Sequence, residues 1–299
     1  MGPVSEKEFG QLKVAVIAHV FYPELLPELA QCVRTIGVAV RDLFVTYVDE
    51  AAVAGARKEF PEAQFVACEN RGYDVWPFLK VLQDLPLDEY DLVVKLHTKR
   101  DVTGELLVLN HAWVGGGAWR ERLLAFCATE KSWRRTLRRF ENLCVGMVAD
   151  RRLVFRRGDL PPALDGPFDR AREEFRRLTG SAVPESAEYV AGTMFAARPA
   201  ALKPLLARRF EAAMFEPPAG HRCETYAHLL ERMLGFSVAA AGLRIAAFNG
   251  SLAWRRRYYG RDPFGKLCRF LFQVKHDSNK GVATTKVLHV PVWRTREKA

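Results

Sequence analysis

Residues 13–19 read KVAVIAH, a continuous apolar run that ends in a histidine. An uninterrupted run of this kind is typical of a strand that is buried on both faces of a parallel sheet. Similar short runs occur at 43–48, 64–67 and 92–96, and helical segments separate them. The first hundred residues therefore predict β-α-β-α-β-α-β, a Rossmann-like α/β fold whose mostly parallel sheet is flanked by crossover helices.

Apolar spacing predicts the remaining elements, and the middle of the chain is more helical than its start. Helices are expected at 23–40, 51–60, 76–82, 118–128, 132–140, 165–180 and 224–234, and strands at 145–149, at 189–197 and within 237–247. No internal repeat or low-complexity segment occurs. The predicted organisation is one domain over 1–250, followed by a basic, aromatic C-terminal extension over 251–299 that packs on the core.

The composition is that of a folded chain. The 299 residues are 49% hydrophobic and 11% aromatic, which excludes an intrinsically disordered polymer. No apolar run reaches the roughly 18 residues that a transmembrane helix needs, and the polar N-terminus does not resemble a signal peptide. The six cysteines form no C-x-x-C pair, so we expect reduced core thiols in a cytoplasmic protein and neither a disulfide framework nor a zinc site.

The formal net charge is +10, which indicates an anionic partner such as a nucleotide, a nucleic acid or a membrane surface. In the C-terminal extension, residues 255–259 and 266–275 interleave cations with aromatic residues. Such a segment can lie on an anionic membrane, which predicts a peripheral protein at the inner face of the cytoplasmic membrane. A C-terminal helix packed on the core explains the same pattern, and the sequence does not decide between the two.

Polar residues follow each of the first four predicted strands. They are His19, then Asp49, then Asn70-Arg71-Gly72-Tyr73-Asp74, and finally His97-Thr98-Lys99. The carboxyl ends of parallel strands meet at one edge of a sheet, where ligands bind. We therefore expect all four groups to line one crevice.

The segment KLHTKR at 95–100 places Lys95, His97, Lys99 and Arg100 where a buried strand should end. Like charges at close range repel unless an anion lies between them, so a diphosphate site is favoured over a solvated strand end. ENRGYD at 69–74 predicts a tight turn, in which glycine lets the backbone approach a ligand and the next helix offers its N-terminus to a phosphate. A plain strand–helix turn explains this second segment equally well.

Two more segments are candidates for an acceptor site. GGGAWRERLL at 115–124 is a glycine loop followed by Trp119 and Arg120, which suit a sugar face or an acidic acceptor. A loop with an aromatic anchor is an equal alternative. Gly192 and Thr193 lie in a predicted strand, where a small residue would make room for an acceptor.

The helix that is predicted to begin at Glu224 also carries His228, Glu231 and Arg232. A carboxylate or a histidine there can act as a general base. Spacing alone favours an intrahelical set of ion pairs. No P-loop, zincin or serine-hydrolase motif occurs in the chain.

Seven segments occur in order along the chain: VAVIAHVFYPE, NRGYDVWPFL, YDLVVKLHTKR, AWR, AGTMFAAR, HLLERMLG and VLHVPVWR. This series resembles the rhamnan synthesis protein F family of bacterial glycosyltransferases. The resemblance runs from about residue 13 to residue 294, and the pair NRGYD and KLHTK is its most specific part. It implies an enzyme with a GT-A-like core that moves a deoxyhexose, typically L-rhamnose, from a dTDP-linked nucleotide sugar. The implied acceptor is a cell-surface polysaccharide, such as lipopolysaccharide O-antigen, or a lipid-linked glycan.

The implied GT-A core also predicts positions in the donor site. An acidic residue near the nucleotide base ends the second strand, here Asp49, and an Asn-x-Gly turn follows the third strand, here Asn70 to Gly72. The fourth strand usually ends in D-x-D, whose carboxylates hold a divalent metal against the diphosphate. This chain instead has His97-Thr98-Lys99, so the charge is inverted.

A lysine and a histidinium can stabilise a departing diphosphate, but they cannot chelate Mg²⁺ or Mn²⁺, which prefer oxygen ligands. The resemblance together with this departure therefore predicts a metal-independent transferase without a cofactor. Asp74 is the nearby carboxylate that leaves a metal site open as the alternative.

The resemblance also implies inverting transfer, which needs a base for the acceptor hydroxyl and a stabilised leaving group. We assign the stabilisation of the leaving group to His97 and Lys99, with Arg71 as a further candidate. We assign the role of the base to Glu224, ahead of Asp74 and Glu231. The predicted donor site comprises His19, Asp49, Asn70, Arg71, Gly72, Asp74, His97, Thr98 and Lys99. The predicted acceptor site comprises Trp119, Arg120, Gly192, Thr193, His228, Glu231 and Arg232.

Two other classes of protein stay open on the sequence. One is a non-catalytic nucleotide- or nucleic-acid-binding protein, and the other is a nucleotide-sugar enzyme of a different reaction class, such as a phosphotransferase. No recognised nucleic-acid-binding motif occurs, and the cations are not concentrated on one predicted helix. We therefore expect a nucleotide-sugar donor and a glycan acceptor, and no nucleic-acid partner.

Overall fold

The computed structural model describes residues 11–100, 107–109, 112–114, 116–157, 159, 165–217, 225–249, 272–277, 282–287 and 290–296. The chain divides into two compact units. The first unit comprises Met1–Asp101 and Gly117–Asn249, and the second comprises Val102–Gly116 and Gly250–Ala299.

The strands and helices of the described residues agree with most of the predicted elements. The strands are β1 (Val14–Val20), β2 (Val40–Tyr47), β3 (Gln64–Ala67), β4 (Leu92–His97), β5 (Leu107–Leu109), β6 (Ala112–Val114), β7 (Val145–Ala149), β8 (Val154–Arg156), β9 (Glu188–Val190), β10 (Phe195–Ala197), β11 (Arg244–Ala247), β12 (Phe272–Asp277), β13 (Val282–Val287) and β14 (Val290–Arg296). The α-helices are α1 (Leu26–Ile36), α2 (Glu50–Glu59), α3 (Val75–Leu82), α4 (Gly116–Leu124), α5 (Glu130–Arg139), α6 (Asp165–Thr179), α7 (Pro199–Leu202) and α8 (Tyr226–Ala240).

A seven-stranded sheet forms the centre of the first unit, in the order β11-β7-β10-β4-β1-β2-β3. Strand β10 runs antiparallel to both of its neighbours, and the other pairings in this sheet are parallel. The predicted α/β fold with a mostly parallel sheet is therefore confirmed. Because β1, β2, β3 and β4 are parallel, the polar residues that follow them start from the same edge of the sheet.

Strand β1 is the centre of this parallel half. It pairs with β2 on one side and with β4 on the other, and helices α1 and α3 contact it. All seven of its residues are buried, which is why the sequence can be apolar without alternation. At its end, His19 lies opposite Thr46 of β2 and His97 of β4, so three polar side chains form one row across the sheet.

The predicted strand over 189–197 is wrong in its middle. Two short strands replace it: β9 pairs with β8, and β10 pairs with β4 and β7. Between them, Gly192 and Thr193 have left-handed backbone conformations, with φ of 77° and 51°. An extended strand cannot continue through such residues, so the chain turns there and passes from one sheet to another.

The predicted helix over 224–234 needs correction at its C-terminal end, whereas the strand predicted within 237–247 is present. Helix α8 continues to Ala240, and only Arg244–Ala247 is a strand. Gly235 does not end the helix, because it lies where α8 crosses β9. A Cβ at this position would lie 2.3 Å from the carbonyl oxygen of Glu188, so the glycine permits close packing of helix and strand.

In the second unit, β12, β13 and β14 form an antiparallel sheet, and β5 and β6 form a two-stranded antiparallel sheet. The sequence left open a C-terminal helix that packs on the core. Phe272–Asp277 instead forms a strand. Residues 251–271, which hold most of the basic-aromatic segment, lie outside the described residues. Packing of this extension on the core stays a prediction. Among the described helices, none has the length and apolar character to span a bilayer.

Replacing Gly235 by alanine tests the packing of α8 on β9. Helix propensity alone predicts that Gly235→Ala stabilises the protein by about 1 kcal/mol. Overlap with the Glu188 carbonyl predicts a loss of about 1–3 kcal/mol, and we expect this larger effect to decide the sign. The free energy of unfolding in urea measures it.

The matched control is Gly166→Ala in α6, where a Cβ would meet nothing within 4 Å. This variant should be as stable as the original protein or more stable. The same change in stability for both variants would contradict the packing explanation.

Candidate active site

A buried cluster of polar side chains lies at the carboxyl end of β4. Lys95 is only 1% exposed, and its Nζ lies 2.5 Å from Asp74 Oδ2 and 2.7 Å from Thr193 Oγ1. The Thr193 hydroxyl donates a hydrogen bond to the same carboxylate oxygen, at 2.5 Å. Strand β4, the turn before α3 and the turn before β10 therefore meet at Asp74 Oδ2.

Left-handed turns bring two of these residues into place. Asp74 follows Gly72 and Tyr73, with φ of 62° and 53°, and Thr193 is itself at 51°. A Cβ on Gly72 would lie 2.5 Å from the Phe215 ring, so a larger residue does not fit. Left-handed conformations at non-glycine residues cost about 1–3 kcal/mol each, and such strain concentrates at functional sites.

Asp74 and Lys95 form a charged pair. Burial by itself would raise the pKa of Asp74, but the positive charges that face it, Lys95 and Lys99 among them, hold this pKa well below its ordinary value. Burial lowers the pKa of Lys95, and the contact with Asp74 opposes that effect. The charge of Lys95 is therefore compensated inside the protein, in contrast to the expectation that it would neutralise a ligand.

His97 is buried beside this pair. It is 3% exposed, its Nδ1 lies 3.5 Å from Asp74 Oδ2, and neither ring nitrogen hydrogen-bonds to any described residue. Burial lowers the pKa of His97 well below its usual range. The imidazole is therefore neutral at pH 7, and not the histidinium that the sequence suggested for the leaving group.

His19 is a second buried, neutral imidazole. Its Nδ1 lies 3.0 Å from Thr46 Oγ1 in the neighbouring strand. Burial lowers the pKa of His19 to about 4, although the Asp74 charge acts in the opposite direction. His19 and Thr46 are therefore a buried, hydrogen-bonded and uncharged pair at the ends of β1 and β2. The sequence did not indicate that Thr46 belongs to this group.

Thr98 joins the ends of β4 and β1. Its Oγ1 accepts hydrogen bonds from the backbone N–H groups of Phe21 and Tyr22, both at 2.9 Å. Its own N–H donates to the carbonyl of His19 at 3.0 Å. The hydroxyl that the sequence offered to a ligand is therefore engaged in holding the chain that follows β1.

Lys99 and Arg100 differ in their partners. Arg100 forms an ion pair with Glu24 at 2.5 Å and lies over the Tyr22 ring, 4.4 Å from its centroid. Lys99 is half-buried, and within the described parts of the chain it makes no hydrogen bond or ion pair. Lys99 is thus the cation of the 95–100 segment that is available to an anionic ligand.

A cavity of about 390 Å³ lies beside the ends of β1, β2 and β3. Asp49 and Asn70 line it, together with Phe21 and Pro23. Asp49 also caps α2, because its Oδ1 accepts a hydrogen bond from the N–H of Ala51 at 3.0 Å. The structure thus brings the predicted residues Asp49 and Asn70 to one concave surface.

The Arg71 side chain makes an internal contact within the protein. Its Nη1 donates to the carbonyl oxygen of Phe215 at 2.7 Å. This bond ties the turn after β3 to the segment that carries Phe215, whose ring also closes over Gly72. The contact gives Arg71 a structural role besides the diphosphate contact predicted for it.

The acceptor candidates near α4 are occupied by internal contacts. Trp119 is 7% exposed, and a Cβ on Gly192 would lie 3.2 Å from its ring and 2.4 Å from Leu123. Arg120 forms an ion pair with Glu28 of α1 at 2.7 Å. The space beside Gly192 is therefore filled by side chains, in contrast to the expectation that it makes room for an acceptor.

The polar residues of α8 do not form an ion-pair set among themselves in the described residues. Glu231 accepts a hydrogen bond from the N–H of Gly192 at 2.6 Å, and His228 Nδ1 lies 2.7 Å from Thr225 Oγ1. Arg232, 4% exposed, donates to the His228 carbonyl at 2.6 Å and lies over the Tyr189 ring. These residues hold α8 against the turn at Thr193, which spacing alone did not indicate.

Tyr73 was predicted only as one member of the polar group after the third strand, without a role of its own. It is 42% exposed, and its ring packs edge-on against the ring of His228, with centroids 5.6 Å apart. Its neighbour Asp74 was recognisable as a strand-end carboxylate, but an exposed tyrosine has no distinguishing pattern. Tyr73 therefore connects the turn before α3 with the start of α8.

Glu224, the predicted base, lies outside the described residues. In the part of the chain that the structure describes, no three side chains of His, Cys, Asp or Glu gather as a metal site. Metal independence stays a prediction.

The chain belongs to the rhamnan synthesis protein F family, whose model matches residues 1–243. Among curated proteins, it is 28% identical over 242 residues to the protein WxcX of Xanthomonas campestris pv. campestris, in strains B100 and ATCC 33913. The match covers 79% of this chain and 33% of WxcX, so the chain spans about a third of the length of these relatives. The predicted family is confirmed, and it supports the prediction of a glycosyltransferase.

Solved structures with a similar chain trace include glucosyl-3-phosphoglycerate synthase from Mycobacterium tuberculosis in complex with Mn²⁺ and UDP-glucose. That match has 14% identity and a TM-score of 0.35, and it covers 98% of this chain and 93% of the other. A mycobacterial protein matches with 12% identity and a TM-score of 0.37, covering 98% of this chain and 90% of the other. Similarity at this level does not bear on the chemistry of the present site.

Substitution of both members of the Asp74–Lys95 pair tests their mutual dependence. Lys95→Met leaves a buried carboxylate and Asp74→Asn leaves a buried ammonium, so each variant should lose about 3–5 kcal/mol of unfolding free energy. The double variant should lose clearly less than the sum, because no uncompensated charge remains. Urea denaturation of the original protein, the two single variants and the double variant gives the coupling free energy between Asp74 and Lys95.

The exposed pair Arg209–Asp84, 2.8 Å apart, is the matched control. Arg209→Met and Asp84→Asn should each change stability by less than about 1 kcal/mol. Additive losses at Asp74 and Lys95 would contradict the coupling.

His19 should make the protein less stable in weak acid. The unfolded histidine takes up a proton near pH 6.5 and the native one only near pH 4, so the unfolded state binds more protons between these values. Stability therefore falls as the pH decreases, by about 1.5 kcal/mol from pH 6.5 to 5 for this residue. His19→Gln should show a correspondingly shallower loss of unfolding free energy over this range. Parallel curves of unfolding free energy against pH for the two proteins would refute the assignment of a neutral His19.

Proposed function

We propose that this chain is a glycosyltransferase that moves a deoxyhexose, L-rhamnose, from a dTDP-linked donor. The acceptor is a cell-surface polysaccharide, such as O-antigen, or a lipid-linked glycan. Family membership supports the reaction class. The single observation that carries the donor site is Lys99, a half-buried cation without a partner among the described residues, at the end of a central parallel strand.

The cavity beside β1, β2 and β3 suits the nucleoside. Pockets for small ligands are concave and mostly apolar, with a few placed polar groups, and about 390 Å³ lies within their usual size range. Phe21 and Pro23 supply apolar surface, while Asp49 and Asn70 supply hydrogen-bonding groups. The nucleoside base lies against these residues in the proposal.

The diphosphate then lies toward the end of β4. Thr98 is bonded to the N–H of Phe21, which lines the cavity, and Lys99 is the next residue along the chain. An ammonium group at this position forms charge-assisted hydrogen bonds with phosphate oxygens. It stabilises the negative charge that develops as the bond between the sugar and the diphosphate breaks.

The residues at the end of β4 do not fit a divalent cation. Mg²⁺ and Mn²⁺ prefer oxygen ligands, whereas this strand end presents His97, Thr98 and Lys99. Asp74 Oδ2 is already occupied by Lys95 and Thr193, so an added cation would face the Lys95 ammonium at close range. Metal-independent transfer follows as part of the proposal.

Asp74 is proposed to contact the donor sugar. Its Oδ2 is held by Lys95 and Thr193, and its Oδ1 accepts no hydrogen bond from a described residue. A carboxylate that is fixed through one oxygen can accept a sugar hydroxyl through the other without reorganising. Because its pKa lies well below the ordinary value, Asp74 is better suited to this role than to general base catalysis.

Nucleotide binding tests the donor site. We expect dTDP or dTDP-rhamnose to raise the unfolding temperature, with no comparable effect of DNA or RNA. Lys99→Gln should weaken dTDP binding by about tenfold or more, which corresponds to the loss of a charge-assisted hydrogen bond. Binding by calorimetry and release of dTDP from dTDP-rhamnose, each with and without EDTA, measure both the site and the metal dependence.

Lys58→Gln, which removes an exposed lysine of α2, is the matched control and should bind dTDP normally. Stabilisation by nucleic acid alone would favour the non-catalytic alternative. Loss of turnover in EDTA with recovery in Mn²⁺ would refute metal independence.

A glycan acceptor and an anionic membrane surface remain the partners that we propose.

A further inference from the structure

His228 belongs to the part of α8 that contacts two turns of the buried cluster, the turn before Asp74 and the turn before Thr193. Its ring packs against Tyr73, the residue before Asp74. One turn later on the same helix, Glu231 is bonded to the N–H of Gly192, the residue before Thr193. Residues three apart lie on the same side of a helix, so His228 shares the side of α8 that faces Asp74 and Thr193.

The imidazole of His228 is held by one nitrogen. Its Nδ1 lies 2.7 Å from Thr225 Oγ1, and the edge of the Tyr73 ring restricts its rotation. The Arg232 guanidinium donates to the backbone carbonyl of His228 at 2.6 Å and fixes this turn of the helix. Nε2 forms no hydrogen bond with a described residue, and the side chain is only half-buried. A ring that is oriented through one nitrogen and open at the other has the geometry of a general base.

We propose that His228 accepts the proton of the acceptor hydroxyl through Nε2 during glycosyl transfer. This inference rests on the proposed function. With Nδ1–H donating to Thr225 Oγ1, the Nε2 lone pair takes the proton as the hydroxyl oxygen forms its bond to the anomeric carbon. The bond between that carbon and the diphosphate breaks, and its electron pair leaves with the diphosphate, where Lys99 stabilises the charge. His228 thus takes the role that the sequence assigned to Glu224.

The charges around His228 keep it in the form that a base requires. Burial lowers its pKa from the usual value, Arg232 and Lys99 act in the same direction, and Glu231 and Asp74 oppose them. Tyr73 faces the ring from the turn before α3. This lowered pKa keeps the imidazole neutral at pH 7, so that the Nε2 lone pair is available to a proton.

Asp74 does not replace His228 in this role. Its Oδ2 is engaged by Lys95 and Thr193, and its pKa lies well below the ordinary value, which makes it a poor proton acceptor. Glu231 is engaged by the N–H of Gly192. Of the candidates that the structure describes, His228 combines an open basic atom with a second atom that orients it.

The test is His228→Gln, which keeps hydrogen-bonding groups but cannot take a proton. We expect the rate of dTDP release from dTDP-rhamnose, with octyl rhamnoside or water as the acceptor, to fall by about 10²–10⁴-fold. The affinity for dTDP should stay unchanged. In the original protein, kcat/KM should decrease on the acidic side of the pH profile as His228 becomes protonated, and this acidic limb should disappear in the variant.

Two further variants make the result specific. Thr225→Val should reduce the rate by about tenfold or less and shift the acidic limb, because Thr225 is a positioning residue that contributes one hydrogen bond. Glu173→Gln, on the exposed surface of α6, should behave like the original protein.

Near-normal turnover of His228→Gln with an intact acidic limb would overturn the proposal. If the acidic limb of the kcat/KM profile were lost in Glu224→Gln and retained in His228→Gln, the base would be Glu224. That result would also overturn the proposal. Failure of the original protein to bind dTDP or to release it from dTDP-rhamnose would refute the proposed function itself.

Discussion

The ion pair between Lys95 and Asp74 is the interaction on which the candidate site depends. Lys95 sits in a strand whose residues are all buried and mostly apolar, and an ammonium there is tolerated only with a carboxylate beside it. This requirement positions the turn at Gly72–Asp74, and Thr193 completes the set from the opposite side. The antiparallel entry of β10 into an otherwise parallel sheet is what brings Thr193 there.

The pair also determines how charge is distributed in the crevice. Lys95 is neutralised by Asp74 and Arg100 by Glu24, while burial keeps His19 and His97 uncharged. Lys99 is left as the cation of this segment that a ligand can reach. A single ammonium beside buried, uncharged side chains interacts more strongly with a phosphate than it would in water, because the local dielectric is lower.

Helix α8 connects the donor side of the crevice to the proposed acceptor side. Glu231 binds the turn that holds Thr193, and His228 packs on the turn that holds Asp74. The close crossing at Gly235 fixes the depth at which the helix lies on β9. The position of His228 therefore depends on packing at a residue two turns away, which no local pattern reveals.

The sequence by itself determined the parallel half of the sheet, because short continuous apolar runs such as 13–19, separated by helical segments, are typical of strands with both faces covered. It also determined that His19, Asp49, Asn70 and His97 meet at one edge, since parallel strands end together. Only the tertiary structure decided which of these groups are open to a ligand. Partners such as Asp74 for Lys95, Thr46 for His19 and Phe215 for Arg71 are distant in the chain, and burial that sets the charge of an imidazole depends on all the elements packed around it.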